Sequence, residues 1–429
     1  GRMTINLNRR HFLSASALAA GVASLPASLR AAQTGPLAWG PVQRTMQGFI
    51  DSKYVPGAVA AIGRGTEAPA FLATGALAFD NPAPATEDAL FRAYSMTKPV
   101  TGMAAMMLIE DGKLKLDQNI ADFIPGFASP RVLTDPEKSL DARPARGPIT
   151  VRNLLTHTAG LGYTIVTKGP LLDAYVRLGL TPASASRKPL PGQPNVPTAP
   201  SLAEFADRLA TLPLIADPGT VWSYSVSLDL MGRIIELASG MPFDSFLQQR
   251  IFAPLGMTSS WFQVPQSQMK RLTTNYFGAP FGTFPIDPGN DSVFFDKPAF
   301  PFGGAGLVTS PRDYDRFLAM LMGEGAVGGT RIMQVETARL AMSNLAPPGA
   351  RMESFVKGQG FGAGGRVTIA PRDNGEGIGT FGWGGAASTI GWVDRTRGVR
   401  ASGWSQIMTM GYQPFTESFG KAVYQSLSV

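Results

Sequence analysis

The segment FRAYSMTKPVTGMAAMMLIEDG, residues Phe91 to Gly112, places a serine and a lysine at the start of an otherwise apolar stretch. Its later positions carry methionine and isoleucine at helical spacing, which predicts a helix with a buried face. Proline is tolerated only in the first turn of a helix, where backbone amides lack partners. Pro99 therefore predicts that the helix begins near Ser95 and ends near Gly112.

Ser95 and Lys98 form a Ser-x-x-Lys pair at the head of this helix. Residues three apart share a helix face about 5–6 Å apart, so the amine of Lys98 can reach the hydroxyl of Ser95. Burial lowers the pKa of a lysine, and we expect a neutral Lys98 amine to accept the serine proton. The helix dipole would favour an oxyanion beside the Ser95 N–H. The alternative interpretation is a capping serine beside a lysine that reaches solvent.

The Ser-x-x-Lys pattern alone is weak evidence, because the chain contains it four times. The other copies begin at Ser267, Ser354 and Ser418, in polar or glycine-containing surroundings that are typical of a solvated surface. Only the copy at Ser95 opens an apolar helix, so Ser95 is the candidate nucleophile.

The chain of 429 residues contains no cysteine and only two histidines, His11 and His157. Disulfides, thiolate nucleophiles, thiolate metal sites and sites with several histidines are therefore excluded. We predict neither a metal nor a cofactor. His157 is the one candidate base for a Ser-His-Asp triad, but the chain lacks a Gly-x-Ser-x-Gly elbow. We interpret His157 as structural, hydrogen-bonded near the turn at residues 158–160.

Residues 1–32 hold four arginines and no acidic residue, so the rest of the chain carries a net charge of only +3. No dense basic patch remains, and we predict no nucleic-acid partner. Arg9-Arg10 followed by a mild Ala/Leu/Val run resembles a twin-arginine export signal, the alternative being an ordinary basic helix. We therefore expect a periplasmic or secreted protein. No apolar run reaches the ~18–20 residues that span a membrane.

Strand-like segments lie near both ends of the chain, with helical patterns between them. Short apolar runs broken by glycine indicate strands at GAVAAIGR, PAFLATG, GQGFGAGGRVTIA, GTFGWGG, STIGWVDRT and GVRASGWSQIMTM. Helical spacing indicates further helices at residues 41–54, TVRNLLTHTAG, SLAEFADRLATL, SVSLDLMGRIIELASG, PFDSFLQQRIF, SPRDYDRFLAMLMGEG and residues 417–427.

These elements predict an α/β (α+β) fold in which the two ends of the chain pair in one antiparallel β-sheet flanked by helices. We expect a single domain at residues 33–429. Its sheet lobe would comprise about 33–94 and 351–429, and a mostly helical lobe would comprise about 95–350.

Glycine and proline mark two helix boundaries. Gly160 is predicted to end the TVRNLLTHTAG helix, and Pro242 to occupy the first position of the PFDSFLQQRIF helix. Residues 164–200 and 276–302 have no clear periodicity, and the second stretch is rich in phenylalanine. Its aromatic side chains either line a pocket for an acyl group or pack over the sheet.

Five segments resemble the serine β-lactamase and penicillin-binding-protein superfamily, and within it the family VIII carboxylesterases. LFRAYSMTKP is similar to the nucleophile segment, LLTHTAGLGY to a structural signature, and WSYSVSLDLMG to the tyrosine segment. GGAGLVTS resembles a helix-leading loop and WGGAASTIGWVD the strand beside the active site. The segments follow the family's order and cover most of the chain from about residue 41. The resemblance implies a fold like that of class C β-lactamases.

The resemblance also implies roles for individual residues. Ser95 would be the nucleophile, Lys98 its partner and Tyr224 the third member, with the role of base left open between Lys98 and Tyr224. The backbone N–H groups of Ser95 and Ala386 would form the oxyanion hole. Trp383, Gly384 and Gly385 would form the strand that approaches the substrate.

Two positions depart from the β-lactamase pattern. Trp383-Gly384-Gly385 stands where β-lactamases and cell-wall peptidases carry Lys-Thr-Gly, so the lysine that faces a substrate carboxylate is missing. Val226 replaces the asparagine of Tyr-x-Asn, which removes an amide that meets the substrate's amide. Both changes predict a pocket without a positive charge for its substrate, suited to a neutral ester.

The sequence therefore predicts a serine hydrolase that cleaves short or medium-chain neutral carboxylic esters through an acyl-enzyme on Ser95. Its partner would be a small-molecule ester. Alternatives on the same site are a weak β-lactamase, a D-aminopeptidase or amide hydrolase, and an acyltransferase. A non-catalytic module that binds cell-wall peptide is the alternative from a different class. The sequence makes no prediction of the oligomeric state.

Overall fold

The computed structural model describes residues 39–190, 195–353 and 355–428. The predicted export signal at residues 1–32 lies outside these ranges and stays a prediction. Among the helices that the structure describes, none combines the length and the apolar character needed to cross a membrane.

The strands form one large sheet and several small ones. In chain order they are β1 (Gly57–Arg64), β2 (Ala70–Ala78), β3 (Asn81–Pro84), β4 (Phe91–Arg92), β5 (Arg131–Leu133), β6 (Ala142–Pro144), β7 (Val221–Trp222), β8 (Asn275–Ala279), β9 (Gly282–Asp287), β10 (Val308–Thr309), β11 (Ala326–Val327), β12 (Thr330–Arg331), β13 (Arg351–Met352), β14 (Gly360–Phe361), β15 (Arg366–Val367), β16 (Phe381–Gly385), β17 (Thr389–Asp394), β18 (Val399–Trp404) and β19 (Ile407–Thr409).

The large sheet has eight strands in the order β14-β15-β16-β17-β18-β1-β2-β3, and neighbouring strands run antiparallel. Val59 of β1 lies opposite Trp404 of β18. The two ends of the described chain therefore meet inside one antiparallel sheet, which confirms the predicted fold class.

The α-helices, again in chain order, are α1 (Gly40–Asp51), α2 (Thr97–Glu110), α3 (Val151–Leu155), α4 (Gly169–Arg177), α5 (Leu202–Ala210), α6 (Ser227–Ser239), α7 (Phe243–Leu247), α8 (Ala253–Leu255), α9 (Pro311–Met322), α10 (Val335–Ala341) and α11 (Pro414–Leu427). Local sequence signals set several boundaries. The side chain of Ser310 caps α9 by accepting the Asp313 N–H at 3.1 Å, and Gly240 ends α6 in the left-handed conformation.

Helices cover both faces of the sheet, and β1 is therefore buried on both sides. Its residues Ala58, Ala60 and Ile62 pack in one apolar cluster with α1 and α11. Val59, on the opposite face, belongs to the main core together with α2, α6 and α9. Successive residues of a strand point to opposite faces, so a nearly continuous apolar strand is what a sheet covered on both faces needs.

Two predicted helices differ from the observed ones. The TVRNLLTHTAG helix ends at Leu155 rather than at Gly160, because His157 has a φ of 56° and turns the chain into the core. Pro242 precedes α7 as its N-cap instead of occupying its first position. After α7 the chain continues through a π-helical turn at Gln248–Phe252.

The aromatic stretch at residues 276–302 was expected to line an acyl pocket or to pack over the sheet. Its first part forms the β8–β9 hairpin, which β19 joins in parallel to make a separate three-stranded sheet. Phe294 and Phe295 are buried beneath Tyr94, and Phe300 and Phe302 pack in the main core. The packing interpretation is the one that the structure supports for these four side chains.

Candidate active site

Ser95 lies in a short 3-10 turn, Tyr94–Met96, directly before α2. The preceding residue, Tyr94, has a φ of 44°, a conformation that non-glycine residues rarely adopt. Two contacts hold this turn: the Tyr94 hydroxyl accepts from the Asn275 amide at 3.2 Å, and Tyr314 donates to the Met96 carbonyl at 2.8 Å. The α-helix thus begins two residues after Ser95, and the strained turn presents the serine at the wall of a cleft.

The structure brings the three predicted catalytic residues together. The Oγ of Ser95 lies 2.7 Å from the hydroxyl of Tyr224 and 3.1 Å from the Nζ of Lys98. Lys98 is fully buried and Tyr224 nearly so, whereas Ser95 remains half-buried at the cleft. A hydroxyl contacted by two groups that exchange protons is the arrangement of an activated nucleophile.

Lys98 is held as an ammonium by three acceptors. Besides Ser95, its Nζ donates to the carbonyl oxygen of Gly304 at 2.7 Å and to the hydroxyl of Tyr163 at 3.2 Å. A protonated lysine has three N–H donors, and these three acceptors use all of them. Nζ also lies 4.6 Å from the ring centroid of Tyr224, within the range of a cation–π contact.

Burial of Lys98 lowers its pKa, but Tyr163, Tyr224 and the buried carboxyl of Asp229 raise it by more, so the net pKa lies above the usual value. This direction is opposite to the one expected for the Lys98 amine. The expected direction rested on the apolar neighbours along the lysine's own helix, whereas the fold also brings two phenols and a carboxylate to the amine. Because a protonated Lys98 would have no lone pair to offer, Tyr224 is the candidate proton acceptor for Ser95, and that role stays a prediction.

Tyr224 sits in a rigid aromatic cage between β7 and α6. Its ring stacks on Trp222 at 5.9 Å and meets the rings of His157 and Tyr163 edge-on at 5.0 and 5.1 Å. Its hydroxyl accepts a hydrogen bond from the indole N–H of Trp383 at 3.1 Å. Packing therefore fixes the ring, and the indole donates to the oxygen that would carry negative charge after losing its proton.

His157 is buried and lies behind Tyr224 without a hydrogen bond to Ser95. The prediction was a hydrogen bond near the turn at residues 158–160, and the observed partner is Ser225, whose hydroxyl lies 2.7 Å from Nδ1. Burial, with a further contribution from the charge of Lys98, holds the pKa of His157 well below its usual value. A neutral histidine packed against the tyrosine ring agrees with the structural role predicted for it.

Strand β16 brings its end against the nucleophile turn. A side chain at Gly385 would place its Cβ 2.4 Å from the carbonyl oxygen of Ala93, so only glycine allows this approach. Ala386 lines the cleft beside Ser95, and within the described residues its N–H has no hydrogen-bond acceptor. Gln413 steadies the segment by donating to the Gly385 carbonyl at 3.0 Å. This geometry suits an oxyanion-binding N–H at Ala386, and that role stays a prediction.

The cleft encloses about 960 Å³ of empty space, including its open mouth. Apolar side chains form much of its wall, among them Ile165, Phe355, Trp383 and Ile390. None of the residues 276–302 belongs to the wall that the structure describes.

One wall residue contradicts the expectation of a pocket without positive charge. Arg366 lines the cleft, a contribution that no motif in the sequence signalled. Both terminal nitrogens of its guanidinium bind the carboxylate of Glu376, at 2.9 and 3.0 Å. This bidentate ion pair engages the guanidinium of Arg366, but Glu376 also binds Arg372 at 2.7 Å, so its single charge is shared between two arginines.

We expect Trp383→Phe to lower kcat for ester hydrolysis by roughly tenfold, because it keeps an aromatic ring but removes the N–H that donates to Tyr224. Steady-state kinetics on a nitrophenyl ester measure the effect. Trp392→Phe is the matched control, because Trp392 makes the same kind of bond, 3.1 Å to the Tyr424 hydroxyl, in the apolar cluster under α1 and α11. Equal kcat values for the two variants would contradict a role for the Trp383 N–H.

Comparison with known proteins places this site in a wider group. Residues 42–414 match the sequence model of the family described as Beta-lactamase. Protein Rv1367c of Mycobacterium tuberculosis is 33% identical over 329 residues, covering 71% of this chain and 74% of the relative. Esterase EstB of Burkholderia gladioli is 31% identical over 333 residues, covering 74% of this chain and 77% of the relative.

A solved structure, EstCE1, described as a hydrolase with promiscuous acyltransferase activity, superposes with a TM-score of 0.72. The two sequences are 26% identical, and the match covers 90% of this chain and 97% of EstCE1. The shared fold thus extends over nearly the whole of both chains.

Proposed function

The chain belongs to the beta-lactamase family, as an esterase-like member and a serine hydrolase, and on this premise we propose that it hydrolyses neutral carboxylic esters through an acyl-enzyme on Ser95. The observation that carries the proposal is the contact of the Ser95 hydroxyl with both Tyr224 and the buried Lys98 at the cleft. The esterase name of EstB supports the ester as the substrate class.

In the acylation step, Oγ of Ser95 forms a bond to the carbonyl carbon of the ester, and the bond to the leaving alcohol breaks. Tyr224 accepts the proton of Ser95 and delivers its own proton to the alcohol oxygen, so no proton is gained or lost overall. The ammonium of Lys98 and the indole N–H of Trp383 stabilise negative charge on Ser95 and Tyr224 during this transfer.

Deacylation runs the same transfer in reverse. A water molecule takes the place of the alcohol, Tyr224 removes its proton, and the water oxygen forms a bond to the acyl carbon. Oγ of Ser95 leaves and regains its proton from Tyr224. Backbone N–H groups of Ser95 and Ala386 would bind the carbonyl oxygen in both tetrahedral states.

Neutral esters suit the cleft because the guanidinium of Arg366 in its wall is already engaged in a bidentate ion pair. Arg366 is occupied by Glu376, and the β-lactamase lysine is replaced by Trp383, whose N–H is occupied by Tyr224. A substrate carboxylate would lose its hydration and would have to compete with Glu376 for Arg366.

Acyl transfer to an alcohol other than water is a second candidate, favoured by the description of EstCE1 as a hydrolase with promiscuous acyltransferase activity. It uses the same acyl-enzyme and differs only in the acceptor. Product analysis with an added short-chain alcohol distinguishes the two, since transfer yields a new ester and hydrolysis yields only the acid.

We expect kcat/KM for p-nitrophenyl butyrate to exceed that for a chromogenic cephalosporin by roughly 100-fold or more. The cephalosporin would lose two contacts that β-lactamases provide, from the lysine that Trp383 replaces and from the asparagine that Val226 replaces, and each such contact contributes about tenfold. The ester reaction should begin with a burst of nitrophenol equal to the enzyme concentration if deacylation is the slower step. A cephalosporin rate above the ester rate would make the protein a β-lactamase instead. A protein with neither ester turnover nor fluorophosphonate labelling would be a non-catalytic binding module.

A further inference from the structure

Asp229 is a buried carboxyl group that the proposed reaction does not use. It lies in the first turn of α6, five residues after Tyr224, and no part of it reaches solvent. Its Oδ1 accepts the backbone N–H of Gly304 at 3.0 Å. Its Oδ2 has no hydrogen-bond partner among the described residues. Burying a carboxylate with an unpaired oxygen costs free energy, so a compensating positive charge is expected nearby.

The compensating charge is Lys98, and a single glycine residue separates the two groups. Gly304 donates its N–H to Asp229 and accepts from the Nζ of Lys98 at 2.7 Å through its carbonyl oxygen. A Cβ on Gly304 would lie 2.7 Å from Oδ2 of Asp229, so the carboxylate can approach this closely only because the residue is glycine. The lysine and the carboxylate thus hold Gly304 from opposite sides.

We propose that Asp229 is a positioning residue, which orients Gly304 toward Lys98 and balances the ammonium charge so that Nζ stays directed at Ser95. This inference rests on the proposed function. The titratable groups that face the carboxyl are Lys98 on α2 and Tyr163 after α3, with Tyr224 adjacent to both. Lys98 supplies the positive charge of this group.

The ionisation of Asp229 gives the inference a pH signature. Burial raises the pKa of Asp229 to about 6, although the charge of Lys98 and the Gly304 N–H oppose the rise. Above this pKa the carboxylate is charged and compensates Lys98, and below it the compensation is lost. The rate at which a fluorophosphonate labels wild-type Ser95 should therefore fall as the pH drops through about 6.

The test compares the wild type with Asp229→Asn, which keeps the side-chain size and the acceptor for Gly304 but removes the charge. We expect the labelling rate and kcat to fall roughly tenfold to 100-fold at neutral pH with KM little changed, since losing an interaction with a charged group costs about that factor. The step near pH 6 should also be absent from the profile of the variant.

Asp313→Asn is the matched control. Asp313 is also buried, and it accepts from the Ser259 N–H at 2.7 Å and the Ser260 hydroxyl at 2.8 Å, but it is not part of the cleft wall. This control should lower the melting temperature and leave the pH profile unchanged. An Asp229→Asn enzyme that loses stability but keeps the wild-type profile would show a structural role and overturn the inference.

The wild-type profile keeps the inference testable if Asp229→Asn does not fold. A labelling rate that stays flat between pH 5 and pH 8 overturns it without any variant. Failure of the proposed function looks different, because a wild-type protein without ester turnover and without labelling at any pH would contradict the serine mechanism itself.

Discussion

Ser95→Ala is expected to lower kcat/KM for p-nitrophenyl butyrate by roughly 10⁴-fold or more and to abolish fluorophosphonate labelling. The acyl-enzyme cannot form without Oγ, whereas the cleft wall and the Ala386 N–H remain to bind substrate. Steady-state kinetics measure the loss, and mass spectrometry of the labelled wild type should locate the adduct on the peptide that contains Ser95. Substrate binding should persist in the variant, because the change removes a half-buried hydroxyl from the wall of an existing cleft.

Ser267→Ala is the matched control, because Ser267 and Lys270 repeat the Ser-x-x-Lys pattern on an exposed 3-10 turn, Gln266–Arg271. This variant should keep wild-type kinetics. Full ester turnover by Ser95→Ala would end the assignment of the nucleophile, and an adduct on any other serine would relocate the site.

Tyr224→Phe should be the next most damaging change, with kcat lowered by about 10³- to 10⁴-fold and KM little altered. It removes the hydroxyl that lies 2.7 Å from Ser95 and leaves the ring in its cage against Trp222 and His157. The raised pKa of Lys98 favours its ammonium form, and among the described residues no further group that contacts the serine is placed to accept its proton. Pre-steady-state measurement of the nitrophenol burst gives the acylation rate directly.

The variant Tyr163→Phe tests whether Tyr224 acts as the base or only as a contact of Lys98, as Tyr163 does. Tyr163 contacts Lys98 at 3.2 Å and lies edge-on to Tyr224, but it makes no hydrogen bond to Ser95. We expect a loss of about tenfold or less, since only one acceptor of the ammonium disappears. If Tyr163→Phe and Tyr224→Phe reduced acylation equally, the proton acceptor would be Lys98 and the assignment to Tyr224 would be wrong.

Features that depend on local chain chemistry were predictable from the sequence. Strand β1 occupies the predicted segment GAVAAIGR, because a run of small and β-branched apolar residues suits a strand covered on both faces. The cap of α9 follows from Ser310 and Asp313, which are neighbours along the chain. The resemblance of short motifs also predicted that Ser95, Lys98 and Tyr224 belong to one site.

Features that depend on distant partners were not predictable. The protonation state of Lys98 is set by Tyr163 and Asp229, which lie 65 and 131 positions later in the numbering of the chain. Both residues stand inside the quoted segments LLTHTAGLGY and WSYSVSLDLMG, but nothing in their spacing reveals that they face an amine. The residues of β19 were predicted as the end of the strand segment GVRASGWSQIMTM in the large antiparallel sheet, and instead they pair with β8, because the tertiary fold decides which strands form hydrogen bonds.

The pairing of β1 with β18 has a consequence for how the molecule folds. Closing a loop between residues 59 and 404 costs chain entropy before the paired strands return any stabilisation, so this step slows folding relative to local helix formation. During synthesis, the nucleophile and its proton partners emerge well before β16 and Ala386. A nascent chain therefore carries the serine without the strand that completes the cleft, and competence for acyl chemistry arrives only after β16 and Ala386 have been synthesised.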